Sequence, residues 1–249
     1  MSLAMTPQVH VRWVPLPSGE DLGGMLSLLT EEERGRHHAM SDQEAARRFV
    51  TGRVAVRRLA AELADPPVDA ADVTVWAICS HCGGPHGRPN VDVARPKGRR
   101  LSVSIAHCSA GVAVAASWSG LVGIDVEPVD TSVEAVSAIA ALVPPTSRPA
   151  GRTWDPVQHW TRLESVLKAD GRGLTVDPSS VLITAQEGAI SATIGSDPEA
   201  PRYALADVRL DRRVRASVAI APRKTSRKRV VPVVSWRSLE LTTTAGQGD

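Results

Sequence analysis

Aromatic side chains are scarce in this chain, with one Phe, one Tyr and six Trp in 249 residues, so any core must lean on Val, Leu, Ala and Ile. Cysteine is scarcer still. Three residues make no disulfide framework, and a reducing cytoplasm is the predicted compartment. No apolar run approaches membrane-spanning length, and the N-terminus lacks a basic segment followed by a long apolar one. Neither charge sign dominates: the formal net charge of +2 lacks the strong basic excess of a dedicated nucleic-acid binder. What is present is an ordinary apolar share of 43%, enough chain for one large domain or two small ones, and no short-period repeat.

Two stretches carry chemistry. Residues 121–126 are β-branched and aliphatic and predict a buried strand ending at Pro128. Alternation along a strand puts Asp125 and Glu127 on the same side. Two carboxylates so placed repel unless a cation lies between them, and Mg2+, a hard ion that favours oxygen ligands and substrate phosphates, suits the pair. A solvated strand end is the alternative. Downstream, Asp155-Pro156 reads as an N-cap followed by proline at the first helical position, with Gln158 completing a capping-box variant. Val157, Trp160, Leu163, Val166 and Leu167 recur at helical spacing, and Gly171 and Gly173 end the helix. Glu164 and Lys168, four apart, lie together at the stripe's edge. They form either a surface ion pair or a third carboxylate and a phosphate-binding lysine on a rigid helix.

The remaining pattern is mixed α and β. Strands are predicted over 9–14, 73–78, 101–105, 111–118, 181–184, 189–194, 203–210 and 214–221. Capping boxes beginning at Thr30 and Ser41 open two helices, the second over 42–63 with Phe49, Val56, Ala60 and Leu63 on its buried stripe and Arg53 near the same edge. An alanine-rich helix is predicted over 131–142 and a Pro- and Gly-bearing loop over 143–152. Cys79 and Cys82 with the neighbouring histidines resemble half of a zinc site, but a second half is missing, so the glycines there are read as shaping a tight loop. His107 is read in the turn between two strands. The basic run over 223–229 and the terminal residues predict a flexible tail.

GIDVEP over 123–128 and WTRLESVLKADGRGL over 160–174 resemble the two signature motifs of the 4'-phosphopantetheinyl transferases, which prime carrier proteins from coenzyme A. Gly87-Arg88-Pro89 is similar to that family's Gly-Lys-Pro motif, and Ser104-Ile105-Ala106-His107-Cys108 to its Asn-(Ile/Leu)-Ser-His-Ser stretch. The order of the four motifs and the chain length match the larger, monomeric branch that serves polyketide, peptide and fatty-acid synthases. The resemblance implies an α+β fold of two pseudo-duplicated halves with antiparallel sheets, 1–120 and 121–222, with coenzyme A in the cleft between them and 223–249 as a tail. It implies Asp125, Glu127 and Glu164 as ligands of Mg2+ or Mn2+, whether all three bind or two are completed by water. It implies Glu164, Lys168 and Asp125 as the catalytic set, and Arg36, Arg53, Arg88, Ser104, His107 and Lys168 as the groups that meet coenzyme A. The implied partner is an apo acyl, peptidyl or aryl carrier protein, with neither nucleic acid nor membrane involved.

Three features depart from that family. Ala106 replaces a serine before the histidine, Leu163 stands where a lysine precedes the glutamate, and residues 143–152 lack the aromatics carried there. The first two motivate an alternative: an impaired transferase-like protein that binds coenzyme A or a carrier without turnover. A zinc-dependent nucleic-acid module built on Cys79 and Cys82 is a third candidate.

Overall fold

The structure is a computed structural model describing residues 6–17, 22–79, 82–85, 87–93, 99–143, 154–197, 199–222 and 231–241. It is a mixed α+β fold in which two sheets share an apolar layer, and each carries a long helix on its outer side.

The first sheet is built on β1 (Gln8–Pro15). Three helices follow: the short α1 (Gly23–Leu26) and α2 (Glu31–His38) and the long α3 (Gln43–Leu63). The capping box predicted at the start of α2 forms, Thr30 Oγ1 accepting from the Glu33 amide while the Glu33 carboxylate accepts from the Thr30 amide. At α3 the cap is Asp42 alone, which accepts from the amides of Glu44 and Ala45, so the box expected from Ser41 does not form. Val56 and Ala60 of the predicted stripe are buried. Phe49 and Leu63 are only half-buried, and Val50, Val54 and Leu59 are buried as deeply as Val56 and Ala60. Arg57 is buried beside them and donates twice to the buried Glu33 carboxylate, at 3.2 and 2.7 Å, tying α2 to α3.

The hairpin β2 (Thr74–Ala77) and β3 (Pro89–Asp92) leads to β4 (Ser102–Cys108) and β5 (Gly111–Ser117). β3 occupies residues for which no strand is predicted, and β4 runs far enough that His107 belongs to the strand rather than to a turn. β6 (Gly120–Pro128) starts the second sheet, followed by α4 (Val133–Leu142), α5 (Pro156–Asp170), β7 (Val181–Gln186), β8 (Ala189–Ile194), β9 (Tyr203–Asp207) and β10 (Val214–Pro222). The strand order is β6-β10-β9-β8-β7, all antiparallel.

The last strand, β11 (Val233–Ser238), corrects the expected tail: it returns to the first sheet and pairs in parallel with β1, giving the order β11-β1-β5-β4. The basic run over 223–229, the terminal residues 242–249 and most of the predicted loop over 143–152 lie outside the described residues.

The layer between the sheets draws Val9, Val11, Trp13, Ala113 and Ala115 from one and Val122, Ile124, Val126, Val218 and Ile220 from the other. Stacked sheets keep their inner faces apolar, and small side chains let them approach. Along the seam, β6 turns its Val122 and Ile124 amides towards β4, where Ser102 Oγ accepts at 2.9 Å and Ser104 Oγ at 3.2 Å. Both serines are buried, so the hydroxyls provide the partners that these amides require in the interior.

Candidate active site at the seam

β6 ends where its two carboxylates emerge, and α5 lies directly on it. A Cβ at Gly123 would stand 2.0 Å from the Ser165 carbonyl oxygen and 2.5 Å from the Ala169 nitrogen, so only glycine permits this approach. Proline starts α5 after the Asp155 cap, and Gly171, with φ of 93°, stops it in the left-handed region. The cap is Asp155 accepting from the Gln158 amide. The Gln158 side chain does not complete a box. It donates to Ser217 Oγ at 2.8 Å and to Thr161 Oγ1 at 3.0 Å. Arg162 forks onto Asp207 at 2.9 and 2.5 Å. These bonds fix how α5 lies on the second sheet, and with it Glu164 and Lys168.

Lys168 Nζ donates to Asp125 Oδ1 at 2.6 Å. Asp125 is 5% exposed, and its Oδ2 is buried without a hydrogen-bond partner. Burial, with the charges of Asp125 and Glu164, pushes the Glu127 carboxyl up to about 7, against the opposing pull of Lys168 and a hydrogen bond from Trp160. Burial and the Asp125 charge likewise raise Glu164, and Lys168 opposes them. The three carboxylates therefore share one electrostatic neighbourhood on β6 and α5. Among the described residues no group of three or more His, Cys, Asp or Glu is placed to hold a metal ion. The donor set still suits a hard cation: all oxygen, mutually repelling, with one buried carboxylate oxygen unpaired.

Beside His107 opens a cleft of about 350 Å³ lined by Arg36, Arg48, Phe49, Arg53 and His107, with Gly87 and the first residue of β3, Pro89. The guanidinium carbons of Arg36 and Arg53 stand 4.9 and 5.4 Å from the Phe49 ring centroid. Arg36 Nη1 donates to the Pro85 carbonyl at 2.7 Å. Arg53 Nε lies 3.4 Å from Glu33 Oε1, and its Nη1 is buried without a partner. His107 is exposed by area, yet the protein around its ring, and then Arg48 and Lys168, lower its pKa while Asp125 partly opposes them. It thus senses both the cleft and the carboxylates. A larger hollow of about 470 Å³ beside Arg58, Glu62 and Asp69 contains none of the residues singled out in the sequence.

Arg36, Arg53 and His107 are thus brought together, while three other residues expected there are engaged elsewhere, Lys168 on Asp125. The Ser104 hydroxyl oxygen accepts from the Ile124 amide. Arg88 is absent from the cleft lining and donates to Ser102 Oγ, Val122 O and Ala169 O. Arg48 and the platform role of Phe49 escaped the sequence reading. The spacing was there, since residues 48, 49, 52 and 53 share one helical face, with Gly52 close against Ile105. Leu163, at the departing position, is 1% exposed in the core beneath α5. Ala106 is buried between the sheets.

Near Cys79 and Cys82, the Gly83 amide donates to the Cys79 carbonyl at 2.9 Å and the Gly84 amide to Cys82 Sγ at 3.4 Å. Both cysteines are free of disulfides, and residues 80, 81 and 86 lie outside the described residues. Among the described residues no helix is long and apolar enough to cross a membrane. No family model matches the chain, and no curated protein matches it significantly.

Proposed function

We propose that the chain is a Mg2+-dependent 4'-phosphopantetheinyl transferase of the cytoplasm. It moves the phosphopantetheine arm of coenzyme A onto a serine of an apo acyl, peptidyl or aryl carrier protein and releases 3',5'-ADP. The observation carrying this reading is the adjacency of an arginine-lined cleft and a partly buried carboxylate cluster, with His107 next to both. The finer architecture belongs to the same proposal: two pseudo-duplicated halves meeting near Gly120, each with a sheet and one long helix, acting as a monomer.

Arg36, Arg48, Arg53 and His107 meet the phosphates of coenzyme A, guanidinium groups offering permanent charge and paired donors. Asp125, Glu127 and Glu164, or two of them completed by water, would hold Mg2+ or Mn2+, which would gather negative charge on the pyrophosphate. Glu164, whose carboxyl is raised by burial, takes the proton of the attacking serine hydroxyl. The serine oxygen bonds to the β-phosphorus as the pyrophosphate bond to the departing nucleotide breaks, and Lys168 stabilises charge on the phosphates.

The test is incubation with coenzyme A, Mg2+ and an apo carrier, read by mass spectrometry. The carrier should gain one phosphopantetheine arm, and Asp125→Ala should cut the rate by at least about a hundredfold. Full activity of that variant refutes the site. A second reading is favoured by the Lys168–Asp125 pair and by Leu163 in the core: a protein that binds coenzyme A or a carrier without turnover. Carrier left unmodified at high enzyme concentration, with coenzyme A bound, selects it.

A further inference from the structure

Arg88 sits between two residues that line the cleft, yet its guanidinium faces the opposite way. Nη1 donates to the Ala169 carbonyl at 2.9 Å, in the last turn of α5. Nη2 donates to Ser102 Oγ at 2.7 Å and to the Val122 carbonyl at 2.9 Å. Ser102 Oγ in turn accepts from the Val122 amide, so one side chain gathers the cleft loop, β4, β6 and α5 at a single point. A cation there also meets the negative end of the α5 dipole. A Cβ at Gly171 would lie 3.7 Å from Arg88 Nη1, which leaves the fork room beside the helix stop.

We propose that Arg88 is a positioning residue, which joins the segment that lines the cleft to the helix that carries Glu164 and Lys168, rather than a ligand of the bound nucleotide. Three acceptors in three elements require a planar fork, and an ammonium on a flexible stem cannot span them. The proposal rests on the transferase reading of the site. It predicts that occupancy of the cleft and placement of α5 are coupled through this one side chain.

The experiment compares Arg88→Lys and Arg88→Met with the wild type in carrier priming, at a temperature well below either variant's unfolding transition. Both should lose about tenfold to a hundredfold in kcat, because the carboxylate on α5 is slightly misplaced, while KM for coenzyme A stays within about twofold. In wild type, coenzyme A should slow amide hydrogen exchange at the α5 C-terminus around Gly171. In Arg88→Met that slowing should vanish even though coenzyme A still binds. If the Met variant raises KM for coenzyme A about tenfold at unchanged kcat and the Lys variant rescues it, Arg88 touches the nucleotide and the proposal is wrong. It is equally wrong if both variants melt earlier but keep wild-type kcat, which makes the contact structural only. Ser102→Ala, a milder cut at the same node, should show a weaker form of the kcat loss if either Arg88 variant fails to fold; unchanged kcat there also overturns the proposal. Wild-type chain that neither primes a carrier nor binds coenzyme A removes the reading of the site and this proposal together, whereas priming with a pure KM effect removes only the proposal.

Discussion

Glu127 ionises beside Asp125 and Glu164 in a partly buried place, so its native pKa of about 7 lies above that of an ordinary carboxyl. A raised native pKa means the folded state binds this proton more tightly than the unfolded chain does. The resulting stabilisation is complete below the ordinary carboxyl range and is lost as pH rises through about 7. Glu127→Gln removes the repulsion, so without divalent ions it should raise Tm by about 2–4 °C at pH 8 and leave it unchanged at pH 4. An equal Tm for both proteins at pH 8 would show that the carboxylates do not repel. The approach of Glu164 depends on how α5 packs on β6, but that Asp125 and Glu127 share a side was legible in the sequence, because strand alternation is a rigid local rule. Where Arg88 and Ser104 direct their polar atoms was not. That depends on which buried amides and carbonyls of other elements lack partners, and only tertiary contact creates that need.

At the scale of elements, the approach of α5 to β6 rests on a missing side chain. Gly123→Ala forces the Ser165 carbonyl and the Ala169 amide outward. It should cost about 1–3 kcal/mol in denaturant unfolding, and transfer should fall with it as Lys168 moves off Asp125. Unaltered stability would mean that helix and strand lie further apart. Most elements were readable from period and caps, and the exceptions share a cause. β11 is largely exposed, with Val233 at 55% and Trp236 at 45%, so it shows no alternation of apolar and polar residues. Its strand character comes from backbone pairing with β1, from Ser235 bonding His10 at 3.0 Å and from Arg237 reaching Glu62 at 2.6 Å. None of that is encoded within residues 233–238. A chain ending at residue 230 should therefore lose about 5 °C or more in Tm and tend to associate through the uncovered edge of β1; an unchanged Tm and a monomeric elution profile would contradict this.

The whole molecule is held at its seam by a shared apolar layer and by two serine hydroxyls standing in for a backbone ladder. Ser104→Ala leaves the Ile124 amide buried without an acceptor. It should cost about 1–3 kcal/mol in denaturant unfolding, far more than a surface Ser→Ala change, and a cost within error of zero would place water at that amide. The return of β11 to β1 has a topological consequence for anyone dividing this protein. Severed in the turn before Gly120, the leading piece lacks an edge strand that only the trailing piece can donate, and the trailing piece carries a strand for which its own sheet has no berth. Co-expressed fragments thus have a built-in reason to recombine, and fused to the two parts of a split reporter they would light up only on reassembly.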